Sequence, residues 1–152
     1  MKLAEALILR ADQQKRLEQL RHRLVRNAQV QEGDSPAEEP AALLREYEEG
    51  SRTLLQLIQR INLTNSRTLV AQGNLADAIA ERDVLRMRAQ LYRDLAGAAT
   101  ITQDRVMRTE IKFRSTLSVA DMQRTSDELS RAYRDLDAAI QELNWTTELI
   151  EV

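Results

Sequence analysis

Histidine, carboxylate and guanidinium groups are the side chains of this sequence that could do chemistry, and their spacing tests whether they do. The single histidine, His22, lies on the flank of its helix among Arg21 and Arg23, a solvated position rather than that of a ligand or base. A di-iron bundle needs inward Glu residues plus two Glu-x-x-His pairs, and one histidine excludes that pattern. Glu5, Asp12, Asp83 and Glu142 could gather as an oxygen-ligand site, but nothing in their spacing requires it. Mid-helix acids beside arginine, as in Arg82-Asp83, read as ion pairs. The sequence holds no Gly-rich phosphate loop, GxSxG or acidic calcium loop. Cysteine is absent, which removes disulfides, thiolate zinc sites and a cysteine nucleophile. No catalytic, metal or cofactor-binding residue is therefore assigned, and no enzymatic activity is expected.

Two polar sets remain. Arg10 and Gln13 fall in the middle of an apolar helical stripe, where a polar layer sets register or forms a buried site. Arg105, Arg108, Lys112 and Arg114 surround Ile111 and Phe113, and four cations near an aromatic could contact phosphate backbones. They could equally meet acidic helix faces, the preferred reading.

The elements that would carry these residues are helical. At 152 residues the chain is expected to form one domain, and 30% charged residues with four Gly, two Pro and 3% aromatics is a helix-rich composition. Net charge is −2 but unevenly spread. Residues 1–30 carry seven basic and three acidic groups, residues 31–50 one and seven, and residues 119–152 three and eight. Complementary charge between neighbouring helices explains this better than a nucleic-acid footprint. No apolar run reaches the roughly 18 residues of a membrane span, and Met1–Leu9 is too short and too quickly charged for a signal peptide. A cytoplasmic location is expected.

The spacing predicts four helices, over residues 3–30, 36–63, 75–98 and 119–150. In the last, Val119, Met122, Ser126, Leu129, Tyr133, Leu136, Ile140, Leu143, Thr147 and Ile150 recur at gaps of three and four, a coiled-coil-like seam. Trp145, the only tryptophan, sits opposite that seam with Ala138 and Leu149 beside it. The third helix has its stripe at Ala76, Ala80, Val84, Met87, Leu91, Leu95 and Ala98, behind an Asn74–Asp77 capping box. Ser35-Pro36 is the expected start of the second helix, with Pro40 as the point where a first turn would give way to the long helix, and Asn62–Gly73 is expected to be irregular because its Asn, Ser and Thr side chains compete for backbone hydrogen bonds. Ala99–Ser118 forms a long connector, with a possible short extended segment around Glu110–Thr116. The fold expected is all-α: an elongated, coiled-coil-like four-helix bundle.

In an up-down-up-down arrangement the start of the first helix meets the ends of the second and fourth. The apolar stripe widens at those three places, through Ile8, Leu55, Leu63, Trp145 and Leu149. A four-helix seam cannot bury them all, and such patches mark association, most often of identical copies. The competing reading folds the loop carrying Leu69 and Val70 over that end.

Several segments carry a family resemblance: Met1-Lys2-Leu3-Ala4-Glu5-Ala6-Leu7, Ile61-Asn62-x-Thr64-Asn65, Leu75-Ala76-Asp77-Ala78, Glu81-Arg82-Asp83, Glu110-Ile111-Lys112-Phe113, and Gln141 to Thr147, whose Leu143-Asn144-Trp145-Thr146-Thr147 run is the most specific. Nearly the whole chain resembles one family of small bacterial proteins, some of which carry the label septicolysin. The resemblance implies no catalytic residues. The label implies a membrane-active cytolysin, although the sequence has neither a span nor the alternating apolar segments of a membrane barrel. The leading expectation is a non-enzymatic scaffold or interaction protein that forms a homo-oligomer and needs no cofactor. A binder of a small ligand, metal or nucleic acid, through the Arg10/Gln13 layer or the Arg105–Arg114 connector, comes second, and a cytolysin third.

Overall fold

Helices supply nearly all the regular structure. The structure, a computed structural model, describes residues 1–101 and 112–151: helices α1 (Leu3–Arg26), α2 (Pro40–Arg67), α3 (Leu75–Ala99) and α4 (Val119–Thr146), with a hairpin of β1 (Leu69–Val70) and β2 (Gly73–Asn74) between α2 and α3. The all-α expectation holds. Residues 112–118 form no strand, and Glu110 and Ile111 of the expected extended segment lie outside the described residues. Contacts divide the chain into two units, Met1–Leu69 with Gln141–Val152, and Val70–Ile140.

In the first unit α1 and α2 run antiparallel, as the cross-pairs Arg23–Glu38, Arg16–Glu46 (2.7 Å) and Gln13–Gly50 (3.0 Å) require. Leu3, Ala6, Arg10, Gln13, Leu17, Leu20 and Leu24 form the inner seam of α1, and Leu43, Tyr47, Gly50, Leu54, Leu57, Ile61 and Thr64 that of α2. Both repeat at gaps of three and four, the spacing that keeps one face on a partner helix. Leu17, Leu20 and Leu43 pack with Leu24, Tyr47 and Leu54, and full burial of each such leucine stabilises by about 1.5–3 kcal/mol. Charge pairs α1 with the connector and the start of α2: Arg16 bonds Glu46, and Arg23 hydrogen-bonds Glu38, just before α2, and holds its carboxyl below the usual carboxylate range.

Three boundaries of α1 and α2 differ from expectation. α2 starts at Pro40 rather than Ser35-Pro36: the Glu39 side chain caps it by accepting from the Ala41 N–H (3.4 Å), and proline in the first turn has no N–H to leave unpaired. α2 also continues through Asn62–Arg67. The Thr64 and Thr68 hydroxyls donate to the Arg60 and Thr64 carbonyls four residues back (2.8 Å each), so the side chains expected to break the helix bond to it instead. α1 ends at Arg26, where Asn27 turns its amide back onto the Arg23 carbonyl (2.9 Å). The Asn74–Asp77 capping box forms as expected, through reciprocal bonds of 3.0 and 3.1 Å. Gly73 precedes it at φ +101°, where a Cβ would lie 2.6 Å from the Asp77 carboxylate.

In the second unit α3 and α4 are antiparallel. Arg82 bonds Asp137 (3.0 Å), the Arg86 guanidinium lies 5.9 Å from the centre of the Tyr133 ring, and the Ser126 hydroxyl donates to the Ala89 carbonyl (3.1 Å). The seam expected for α4 faces inward, from Met122 to Ile140. The stripe expected for α3 does not. Val84, Met87 and Leu91 are exposed, while Leu75, Ala78, Ala89 and Ala96 are buried. α3 carries heptad spacing on two opposite faces, and the close approach of Ser126 to backbone selects the face of small residues.

Candidate interaction surface

Helix ends converge in the first unit. α4 stops at Thr146, four residues before the expected end, and the chain continues as an extended tail. The tail pairs with the start of the chain: the Leu3 N–H donates to the Thr147 carbonyl (2.9 Å), and the Leu149 N–H to the Met1 carbonyl (2.8 Å). Its other edge meets α2, where the Ile150 N–H donates to the fully buried Thr64 hydroxyl (3.0 Å) and Arg60 pairs with Glu151. Glu148 faces Lys2 Nζ (2.6 Å) and the Met1 amino group (3.2 Å), and hydrogen bonds from both hold its carboxyl below the usual range. The start of α1 and the ends of α2 and α4 are thus tied by backbone bonds and ion pairs together.

Against this junction the five association candidates separate. Ile8, Leu55 and Trp145 are each more than half exposed, and Leu63 is half-buried. Leu149 is buried, because the pairing of its N–H with Met1 turns its side chain into the unit. It therefore leaves the exposed set. Ile8 and Leu55 lie five residues beyond Gln13 and Gly50 in the direction of the junction, so they sit at one level of the antiparallel pair. Leu69 is 82% exposed, so it does not fold over this end.

The polar layer is partly consumed by the fold. Gln13 donates to the Gly50 carbonyl, and a Cβ on residue 50 would stand 2.7 Å from the Gln13 amide nitrogen and 3.0 Å from a Leu17 methyl. Gly50, a weak point by helix propensity, is what lets this contact form. Arg10 lies half-buried with its Nε unpaired, and Asn65 and the buried Asn144 each keep an unpaired Oδ1.

Of the basic connector, Lys112 and Arg114 are exposed, and Arg114 with Phe113 lines a cleft of about 540 Å³ against Leu95, Thr100 and Ile101. Arg105 and Arg108 lie outside the described residues. His22 is exposed beside Glu18 (3.1 Å). Among the described residues no group of His, Asp or Glu is placed to hold a metal ion, and no helix is long and apolar enough to cross a membrane.

These helices define an all-α protein of antiparallel helix pairs, with large apolar side chains left exposed in both units. The chain belongs to the family of unknown function DUF6847, whose model matches residues 10–149. It is similar, at 44% identity and a TM-score of 0.93 over 99% of each chain, to a solved structure described as a functionally unknown conserved protein from Corynebacterium diphtheriae. No curated protein matches the chain.

The surface that sequence reasoning missed is the outer face of α3. Its signal was present in the small residues Ala78, Ala89 and Ala96, which mark the side that a second helix approaches closely.

Proposed function

We propose that this protein is a helical interaction module that associates with itself and has no catalytic role. The observation that carries the reading is the exposure of Ile8, Leu55 and Trp145 in the unit that ties its own ends together. The tail bonds Met1–Leu3 and Thr64 while leaving Trp145 outside, and a large exposed aromatic is typical of an interface anchor. Self-pairing of one surface is the commonest form of such association. Gln13 is engaged by the Gly50 carbonyl, which favours a register-setting role for the polar layer over a ligand site.

Light scattering on the intact chain and on Trp145→Ala tests this, with far-UV circular dichroism as the control. The substitution should lower the assembled mass and leave helicity unchanged. An unchanged mass overturns the role of this surface.

A further inference from the structure

In the second unit α3 turns small side chains toward α4 and carries larger ones outside. On the side away from α4, Ala80, Val84, Met87 and Leu91 repeat at gaps of four, three and four, the spacing of a helix seam, and the last three are 48%, 66% and 54% exposed. The strip lies about opposite the α4-facing residues Ala78, Arg82 and Ala89 on the helical wheel, so α4 does not cover it. Asp77 and Asp94 bound it. Glu81 and Arg88 flank one side, Asp83 and Gln90 the other. Asp83 is held by Arg82 (3.0 Å) and Arg86 (3.7 Å), and Gln90 donates to Asp94 (2.7 Å). Glu81 and Arg88 make no ion pair among the described residues.

We propose that a second copy of this chain docks on this strip, α3 against α3 and antiparallel, about a two-fold axis between Val84 and Met87. Val84 then meets the partner's Met87, and Ala80 meets the partner's Leu91. The same axis sets Glu81 beside the partner's Arg88, and by symmetry Arg88 beside the partner's Glu81, so both uncommitted charges find partners of opposite sign. A parallel pair would instead set Asp83, already engaged by two arginines, against the partner's Arg88. Asp77 falls near the partner's Asp94 at each end, which confines the contact to the stretch from Ala80 to Leu91, about 18 Å of helix. That is the small end of specific interfaces, so the pairing is weak and concentration-dependent. The inference rests on the self-association reading but uses a face distinct from that of Ile8, Leu55 and Trp145.

Sedimentation velocity on the full chain, across the micromolar to millimolar range, tests it with charge reversals. Glu81→Arg and Arg88→Glu should each weaken association by roughly tenfold or more, and the double reversal should restore it. Met87→Glu should weaken it at least as much, with helicity followed by circular dichroism. Association that is indifferent to both single reversals, or not restored by the double, overturns the proposal. Trp145→Ala in the same series reads the other surface, so each contact can fail without the other.

Discussion

The two helix pairs solve one packing problem in opposite ways. α1 and α2 put leucines inside, from Leu17 and Leu20 to Leu43 and Leu57, and the first unit adds a tail whose backbone bonds tie residues 1–3 to 147–149. α3 and α4 meet through Ala89 and Ser126 and leave Val84, Met87 and Leu91 outside. Each pair has a polar layer. In the first it is neutral and ends on backbone, Gln13 to the Gly50 carbonyl; in the second it is ionic, Arg82 between Asp83 and Asp137. Packing through small residues thus leaves the larger side chains of α3 on its outer face, whereas the first unit buries a leucine seam and still leaves Ile8, Leu55 and Trp145 exposed.

Truncating one leucine from each kind of face should give the largest contrast between the two helix pairs. Leu20→Ala should cost about 2–5 kcal/mol, because a fully buried side chain leaves a cavity. Leu91→Ala should stay within about 0.5 kcal/mol in dilute protein, where its exposed face has no partner. Urea midpoints measure both, and equal losses would erase the distinction between inner and outer seams.

Enlarging the small side tests the close approach itself. Ala89→Leu should destabilise by about 1–3 kcal/mol through overpacking where Ser126 reaches the α3 backbone. A neutral result would mean that α3 and α4 have room between them.

For the tail, Thr64→Ala leaves the Ile150 N–H without its acceptor and should cost about 1–3 kcal/mol, with faster amide exchange over residues 147–150. Thr64→Ser, which keeps the hydroxyl, should lose less. Exchange unaffected by either change would show that the tail is held by its pairing with Met1–Leu3 alone.

The smallest effect is a pH dependence. Glu148 is held in its charged form by Lys2 and the Met1 amino group, so its folded pKa is lowered. A lowered pKa contributes stability that is present above the unfolded carboxylate value, about 4.3, and is lost as pH falls through the folded value. The difference between the native chain and Glu148→Gln should therefore be constant near neutral pH and vanish in acid. A difference that persists in strong acid would place the contribution elsewhere.

How much was legible in the sequence follows from how many faces each helix offers. α4 was readable because its large residues make one continuous seam, and Trp145 stood visibly off it. The inner face of α3 is hidden in the sequence because alanine at Ala78, Ala89 and Ala96 gives a weaker apolar signal than Val84, Met87 and Leu91, although close packing prefers it. The end of α2 is ambiguous in the sequence because threonine hydroxyls can bond back along a helix as readily as they can end one. The tail is not legible because its partners, the Met1–Leu3 backbone and side chains of α2 such as Thr64, lie far away along the chain, and composition carries no trace of them. Of the surface candidates, Ile8, Leu55 and Trp145 stayed outside, while Leu149 moved in with the tail.

Sedimentation equilibrium of the unmodified chain over a concentration series tests self-association most directly. The average mass should rise above 17.4 kDa toward that of two or more copies as concentration increases. A mass fixed at one chain up to millimolar concentration would contradict it.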